Sequence, residues 1–103
     1  MKTRAAILHA INSPLTVEEI EIPPLKPGQV LVRMRFSGVC HSQINEIRGL
    51  KGEDKFLPHL LGHEGGGEVI EIGGDVTKVA PGDHGVLTWI KAQGKDVPET
   101  TYQ

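Results

Sequence analysis

Cys40 and His63 are the side chains in this sequence best suited to hold a transition metal. Thiolate sulfur and imidazole nitrogen are the preferred ligands of zinc, and carboxylate oxygen is acceptable. A catalytic zinc takes three protein ligands and keeps a further position open for water or substrate. Both residues sit in glycine-bearing segments, Gly38-Val39-Cys40-His41-Ser42 and Gly62-His63-Glu64-Gly65-Gly66-Gly67. Glu64 offers a carboxylate next to His63, but neighbouring side chains of extended backbone point to opposite sides. On that rule it is an outer or transient ligand rather than a third permanent one. Residue types alone leave a plainer reading open. A lone cysteine also serves as a small buried hydrophobe, and a histidine in a glycine-rich turn can simply satisfy loop backbone. The run Gly65–Gly67 is not read as a phosphate cradle. It stands ahead of a strand, whereas the dinucleotide fingerprint follows a strand and opens a helix, and Ile70 occupies the place of its last glycine.

Strands and turns must position these groups. Ala5–His9 reads as a short strand. Leu15 and Val17 alternate in one phase and Ile20 and Ile22 in the other, which predicts a bulge at Glu18-Glu19. Pro23 to Gly28 forms a turn. Val30, Val32, Met34 and Phe36 then fall on one face of a strand, with Arg33 and Arg35 on the other, ending at Ser37-Gly38. Residues Ser42 to Arg48 suit a short helix, capped by the Ser42 hydroxyl and ended by Gly49. A polar loop follows over Gly49–Lys55. Glu68–Ile72 is a strand, Gly73-Gly74-Asp75 and Ala80-Pro81-Gly82-Asp83 are tight turns, and His84–Ile90 is a last strand. Lys91–Gln103 shows no periodicity and reads as loop.

Bulk properties bound the function. The 103 residues make one domain. Thirteen glycines and seven prolines exceed the roughly 12% of average chains, favouring turns and short strands. The net charge of −2 and pI of about 6.2, with scattered Lys and Arg, argue against nucleic acid. A single cysteine rules out an intrachain disulfide and a four-thiolate zinc site. No signal peptide precedes the first strand, and no apolar run approaches the roughly 18 residues of a membrane span. The expectation is a cytoplasmic protein without a membrane partner.

The pattern Gly62-His63-Glu64-x-x-Gly67-x-x-x-x-x-Gly73-x-x-Val76 matches the signature of zinc-dependent, medium-chain alcohol dehydrogenases at every fixed position. Gly38-Val39-Cys40-His41-Ser42 resembles that family's first ligand segment. Pro27-Gly28-Gln29-Val30-Leu31-Val32 and Pro81-Gly82-Asp83-His84 are similar to its turn-to-strand junctions. The chain thus resembles the family's N-terminal GroES-like catalytic domain over residues 1–90, with 91–103 a loop or the start of a remainder. The resemblance implies a mainly β, GroES-like, partly open barrel with one short helix, incomplete at the C-terminus. It implies Cys40 and His63 as ligands of catalytic zinc, with Glu64 beside the metal. It further implies Ser42 as the hydroxyl that takes the proton of the alcohol, and His41 as the basic residue meeting the pyrophosphate of NAD or NADP. A small alcohol or aldehyde would be the substrate and a homo-oligomer the expected assembly. His9, His59 and His84 match no family role and are assigned to surface or structural hydrogen bonds.

Several positions depart from the family pattern. The third zinc ligand and the cofactor-binding unit would have to lie downstream, and no cysteine-rich lobe follows His84. Gln43 stands where an acid is usual, weakening support for the metal, and Asn45 where some members place a relay histidine. This chain alone is therefore expected to hold zinc weakly and to be inactive. The rival expectation is a freestanding GroES-like binding or assembly module without catalysis.

Overall fold

The structure, a computed structural model, describes residues 1–89. It is mainly β with one short helix, in the order β1 (Lys2–Leu8), β2 (Thr16–Glu21), β3 (Val30–Ser37), α1 (His41–Ile47), β4 (His59–Leu60), β5 (Glu64–Ile72) and β6 (His84–Thr88). The chain forms two compact units, each organised by a three-stranded sheet. Among the described residues no helix is long and apolar enough to cross a membrane. The readings of Ile90 and of the loop at Lys91–Gln103 lie outside the described residues.

One unit carries the sheet β2-β1-β4 and the helix. β1 pairs antiparallel with β2 from Lys2↔Glu21 to Ile7↔Thr16, and with β4 through Ile7↔Leu60 and Leu8↔His59. The β1–β2 register is unbroken, so the bulge expected at Glu18-Glu19 is absent. The apparent change of phase came from Val17, which is 60% exposed and faces outward, while Ile20 faces in. Leu8 is the fully buried side chain of this sheet. Lys2–Glu19 and Met1–Glu21 ion pairs of 2.8 and 2.7 Å run along its exposed face, each worth at most about 1 kcal/mol.

Helix α1 begins at His41 with Cys40 as its N-cap, so Ser42 is not the capping residue. The cap lies two residues earlier because Gln43, at the third helical position, returns its side chain to the Cys40 backbone. The helix ends as expected at Gly49. The N–H of Gly49 donates to Glu46 O at 3.1 Å and that of Leu50 to Asn45 O at 2.9 Å, a Schellman pair. Gly49 has φ +71, the left-handed region that favours glycine.

The other unit holds the antiparallel sheet β3-β5-β6. β5 starts at Glu64, so Gly65–Gly67 lie inside the strand rather than ahead of it. The reason is steric. A Cβ on Gly67 would strike the Arg33 carbonyl, so β3 and β5 approach closely only because that position is glycine. The β3–β5 register shifts twice, between Leu31 and Val32 and between Met34 and Phe36. Met34 opposes Gly67 and Phe36 opposes Gly66, with Arg35 bulged out. Phe36 therefore leaves the face expected for Val30, Val32 and Met34, and is 79% exposed. Val69, on the central strand, is buried. Asp75 (φ +65) and Gly82 (φ +96) set the two predicted turns, the second closed by Asp83 N–H to Ala80 O at 3.1 Å.

Candidate metal centre

Cys40 arrives at its place through a helix start. Its backbone is extended (φ −95°, ψ 143°) and its N–H donates to the Gln43 Oε1 atom at 2.9 Å. This pins the half-buried residue at the mouth of the first turn. Gln43 thus supports the cysteine through the amide oxygen, a role that an acid at the same position would also fill. The expected weakening at this position concerns charge alone, since the hydrogen bond itself is made. His41 and Ser42 follow as the first two helical residues, the former exposed and the latter half-buried.

His63 arrives through a turn into a strand. Gly62 before it has φ +130, a conformation rare for residues with a Cβ, and β5 begins immediately after it. The His63 ring is half-buried. Glu64 is the first strand residue, and its carbonyl accepts Gly38 N–H at 3.2 Å and Ser37 Oγ–H at 3.5 Å.

The Cys40 sulfur, one His63 ring nitrogen and one Glu64 carboxylate oxygen all lie within 4.8 Å of one another. His41, His59 and the remaining described histidines are not part of this group. The alternation rule had assigned Glu64 to the other side. It fails here because His63 precedes the strand, so the two residues do not share one extended run. Among the described residues no hydrogen bond or ion pair engages the His63 ring or the Glu64 carboxylate. Three electron-pair donors thus lie close together.

The donor set suits zinc. Metal–ligand distances of about 2.0–2.3 Å in a tetrahedral site put donor atoms roughly 3.3–3.8 Å apart, so a contraction of no more than about 1.5 Å closes the group around an ion. Imidazole, thiolate and carboxylate are all zinc ligands, and the exposed carboxylate leaves a side open to solvent.

The other histidines behave structurally. His59 Nδ1 donates to Asp54 Oδ2 at 2.8 Å, in a half-buried contact of β4 that periodicity could not find in so short a strand. Burial alone would raise the Asp54 carboxyl, but the Phe56 N–H and His59 outweigh it and hold it below the usual range. His9 pairs with Glu18. His84 faces Glu68 across β5–β6 and lines an open trough of about 360 Å³ with Arg35 and Phe36.

Residues 26–102 match the profile of the alcohol dehydrogenase GroES-like domain. An S-(hydroxymethyl)glutathione dehydrogenase of Escherichia coli O6:H1 is 42% identical over 95 residues, which cover 92% of this chain and 26% of that relative. Among solved structures, an alcohol dehydrogenase of Thermotoga maritima is 37% identical with a TM-score of 0.70, covering 82% of this chain and 24% of its own. A candidate zinc-binding dehydrogenase of Sinorhizobium meliloti, solved with NADP bound, is 30% identical with a TM-score of 0.69, covering 79% of this chain and 23% of its own. The chain spans about a quarter of the length of these relatives.

Proposed function

Because the chain belongs to the alcohol dehydrogenase GroES-like domain family, we propose that it is the ligand-bearing part of a longer, zinc-dependent, NAD(P)-linked dehydrogenase. The reaction would convert an alcohol to an aldehyde or ketone by hydride transfer. The supporting observation is the convergence of Cys40, His63 and Glu64 within 4.8 Å.

In this reading Cys40 and His63 would hold zinc, with Glu64 as a third, displaceable ligand. When bound, zinc acts as a Lewis acid that lowers the pKa of the alcohol hydroxyl. Ser42, two residues beyond Cys40 in the first helical turn, accepts the hydroxyl proton and passes it on, since a hydroxyl both accepts and donates. The nicotinamide cofactor, when bound, would supply the acceptor for the carbon-bound hydrogen and its electron pair, leaving the carbonyl product. His41, exposed at the helix start, offers a donor to the pyrophosphate of the cofactor. NADP is bound by the Sinorhizobium relative; NAD or NADP is the cofactor class proposed here.

Zinc competition against a chromophoric chelator tests this reading on the purified chain. Cys40→Ala and His63→Ala are each expected to weaken binding by about 100-fold or more, consistent with loss of a direct ligand. Wild-type affinity in both variants would exclude the metal centre and leave the non-catalytic module as the surviving reading.

A further inference from the structure

Glu64 reaches the cluster because position 38 carries no side chain. Gly38 and Glu64 lie side by side, joined by the hydrogen bond from Gly38 N–H to the Glu64 carbonyl at 3.2 Å. A Cβ built on Gly38 would overlap Glu64 Oε2 and stand 3.1 Å from Glu64 Cβ and 3.2 Å from Glu64 Cδ. The three nearest atoms thus all belong to this one side chain. The backbone does not itself demand glycine there, because Gly38 is not among the residues with positive φ. What glycine provides at this position is room. The carboxylate lies over the bare Cα, and from that seat one of its oxygens comes within 4.8 Å of the Cys40 sulfur and the His63 ring.

We propose that Gly38 is a positioning residue for the metal centre: its missing side chain is the seat of the Glu64 carboxylate, and any side chain there swings that carboxylate away from Cys40 and His63. The inference rests on the metal-centre reading and adds the determinant of its third donor. It separates two jobs within one short segment. Cys40 supplies an atom to the ion, and Gly38, two residues earlier, supplies the space in which another ligand is aimed. An alanine methyl cannot share that space with a carboxylate oxygen, so the flexible end of Glu64 must give way.

Cobalt(II) titration of the full 103-residue chain, read by visible absorption, tests this with Gly38→Ala, Glu64→Ala and the double variant. Cobalt(II) reports ligand geometry as well as affinity, so the readout does not depend on turnover. Gly38→Ala and Glu64→Ala are each expected to weaken cobalt binding by about 10-fold, the lower end for a residue that orients a ligand. The double variant should lose no more than either single change, because both remove the same interaction. Wild-type cobalt affinity in Gly38→Ala would overturn the proposal. So would an equal further loss when Gly38→Ala is added to Glu64→Ala, since the glycine would then act through another group. Far-ultraviolet circular dichroism of Gly38→Ala in both backgrounds guards against unfolding. Misfolding in both would show that the backbone, not the carboxylate, requires glycine, and would equally sink the idea. Cys40→Ala and His63→Ala run in parallel. Retained cobalt in those two removes the metal centre itself, whereas cobalt lost in them but kept in Gly38→Ala removes only the role of Gly38.

Discussion

His59 and His63 stand four residues apart, each close to carboxylate, yet the two rings are used in opposite ways. His59 donates Nδ1–H to Asp54 at 2.8 Å, with Glu46 Oε2 at 3.9 Å and the Phe56 ring centroid at 5.7 Å. Its partner Asp54 is only 8% exposed. That imidazole is committed: its proton is spoken for and its carboxylate is satisfied by a backbone N–H as well. His63 instead faces a sulfur and a carboxylate oxygen, with no hydrogen bond among the described residues to fix its ring. A histidine beside a carboxylate is therefore not by itself a sign of chemistry. What distinguishes the two is the carboxylate beside the ring: Asp54 already accepts the Phe56 N–H, whereas no hydrogen bond among the described residues engages the Glu64 carboxylate. The first arrangement is scaffold; the second is the one proposed above to take a metal ion.

The contrast can be broken by exchanging roles. His63→Ala should weaken zinc binding by about 100-fold or more, while leaving the urea midpoint of the metal-free chain unchanged. His59→Ala should do the reverse, lowering stability by about 1–3 kcal/mol by depriving a poorly exposed carboxylate of its ring partner, with zinc affinity within about twofold of wild type. If both variants lose metal, or both lose stability, the two histidines are not functionally distinct.

A smaller and pH-dependent effect belongs to Asp54. Its carboxyl is held below the ordinary value in the folded chain, so the folded state binds that proton less readily than the unfolded one. The stabilisation is thus present in full above the unfolded value of about 3.9 and is lost as pH falls through the lowered folded value. Asp54→Asn should lie below wild type by a constant margin in urea denaturation from pH 5 to pH 7, these values being about one unit or more above that unfolded pKa. The two curves should converge as the buffer drops below about pH 4. A margin that persists unchanged in acid would show that Asp54 stabilises by shape rather than charge.

The smallest effect is expected at Gln43. Gln43→Leu removes the acceptor for Cys40 N–H and should cost about 0.5–1 kcal/mol of stability, as for loss of a helix cap. Gln43→Glu keeps the acceptor and should recover most of that in thermal melts. Failure of the glutamate to rescue would mean that the amide nitrogen, which lies near Gly62, carries the effect.

Much of this was legible in the sequence, for identifiable reasons. β3 was found because its β-branched and aromatic residues recur with period two, and Gly49 because a helix end in the left-handed region favours glycine. Cys40 and His63 stood out by residue type, since few side chains bind zinc well. The losses occurred where a position depends on a partner in another strand. The bulge at Arg35 that turns Phe36 outward answers to the spacing of β5, which local alternation cannot register. The false bulge at Glu18-Glu19 arose because an exposed Val17 looks like a core residue in a one-dimensional pattern. β4, two residues long, has no period to detect. The helix cap at Cys40 was missed because serine is the better-known cap, whereas the returning Gln43 side chain selects the earlier residue. The side on which the Glu64 carboxylate lies was misread by one residue of strand boundary.

Glu64 also divides its labour along its own length. Its main chain helps fasten β5 to β3 through Gly38 and Ser37, and its side chain alone points to the donor group. Architecture and reactivity meet in a single residue but draw on different atoms. The charge beside the cluster can therefore be altered by substitution at position 64 without unstitching the sheet, which makes this residue a natural dial for tuning the centre.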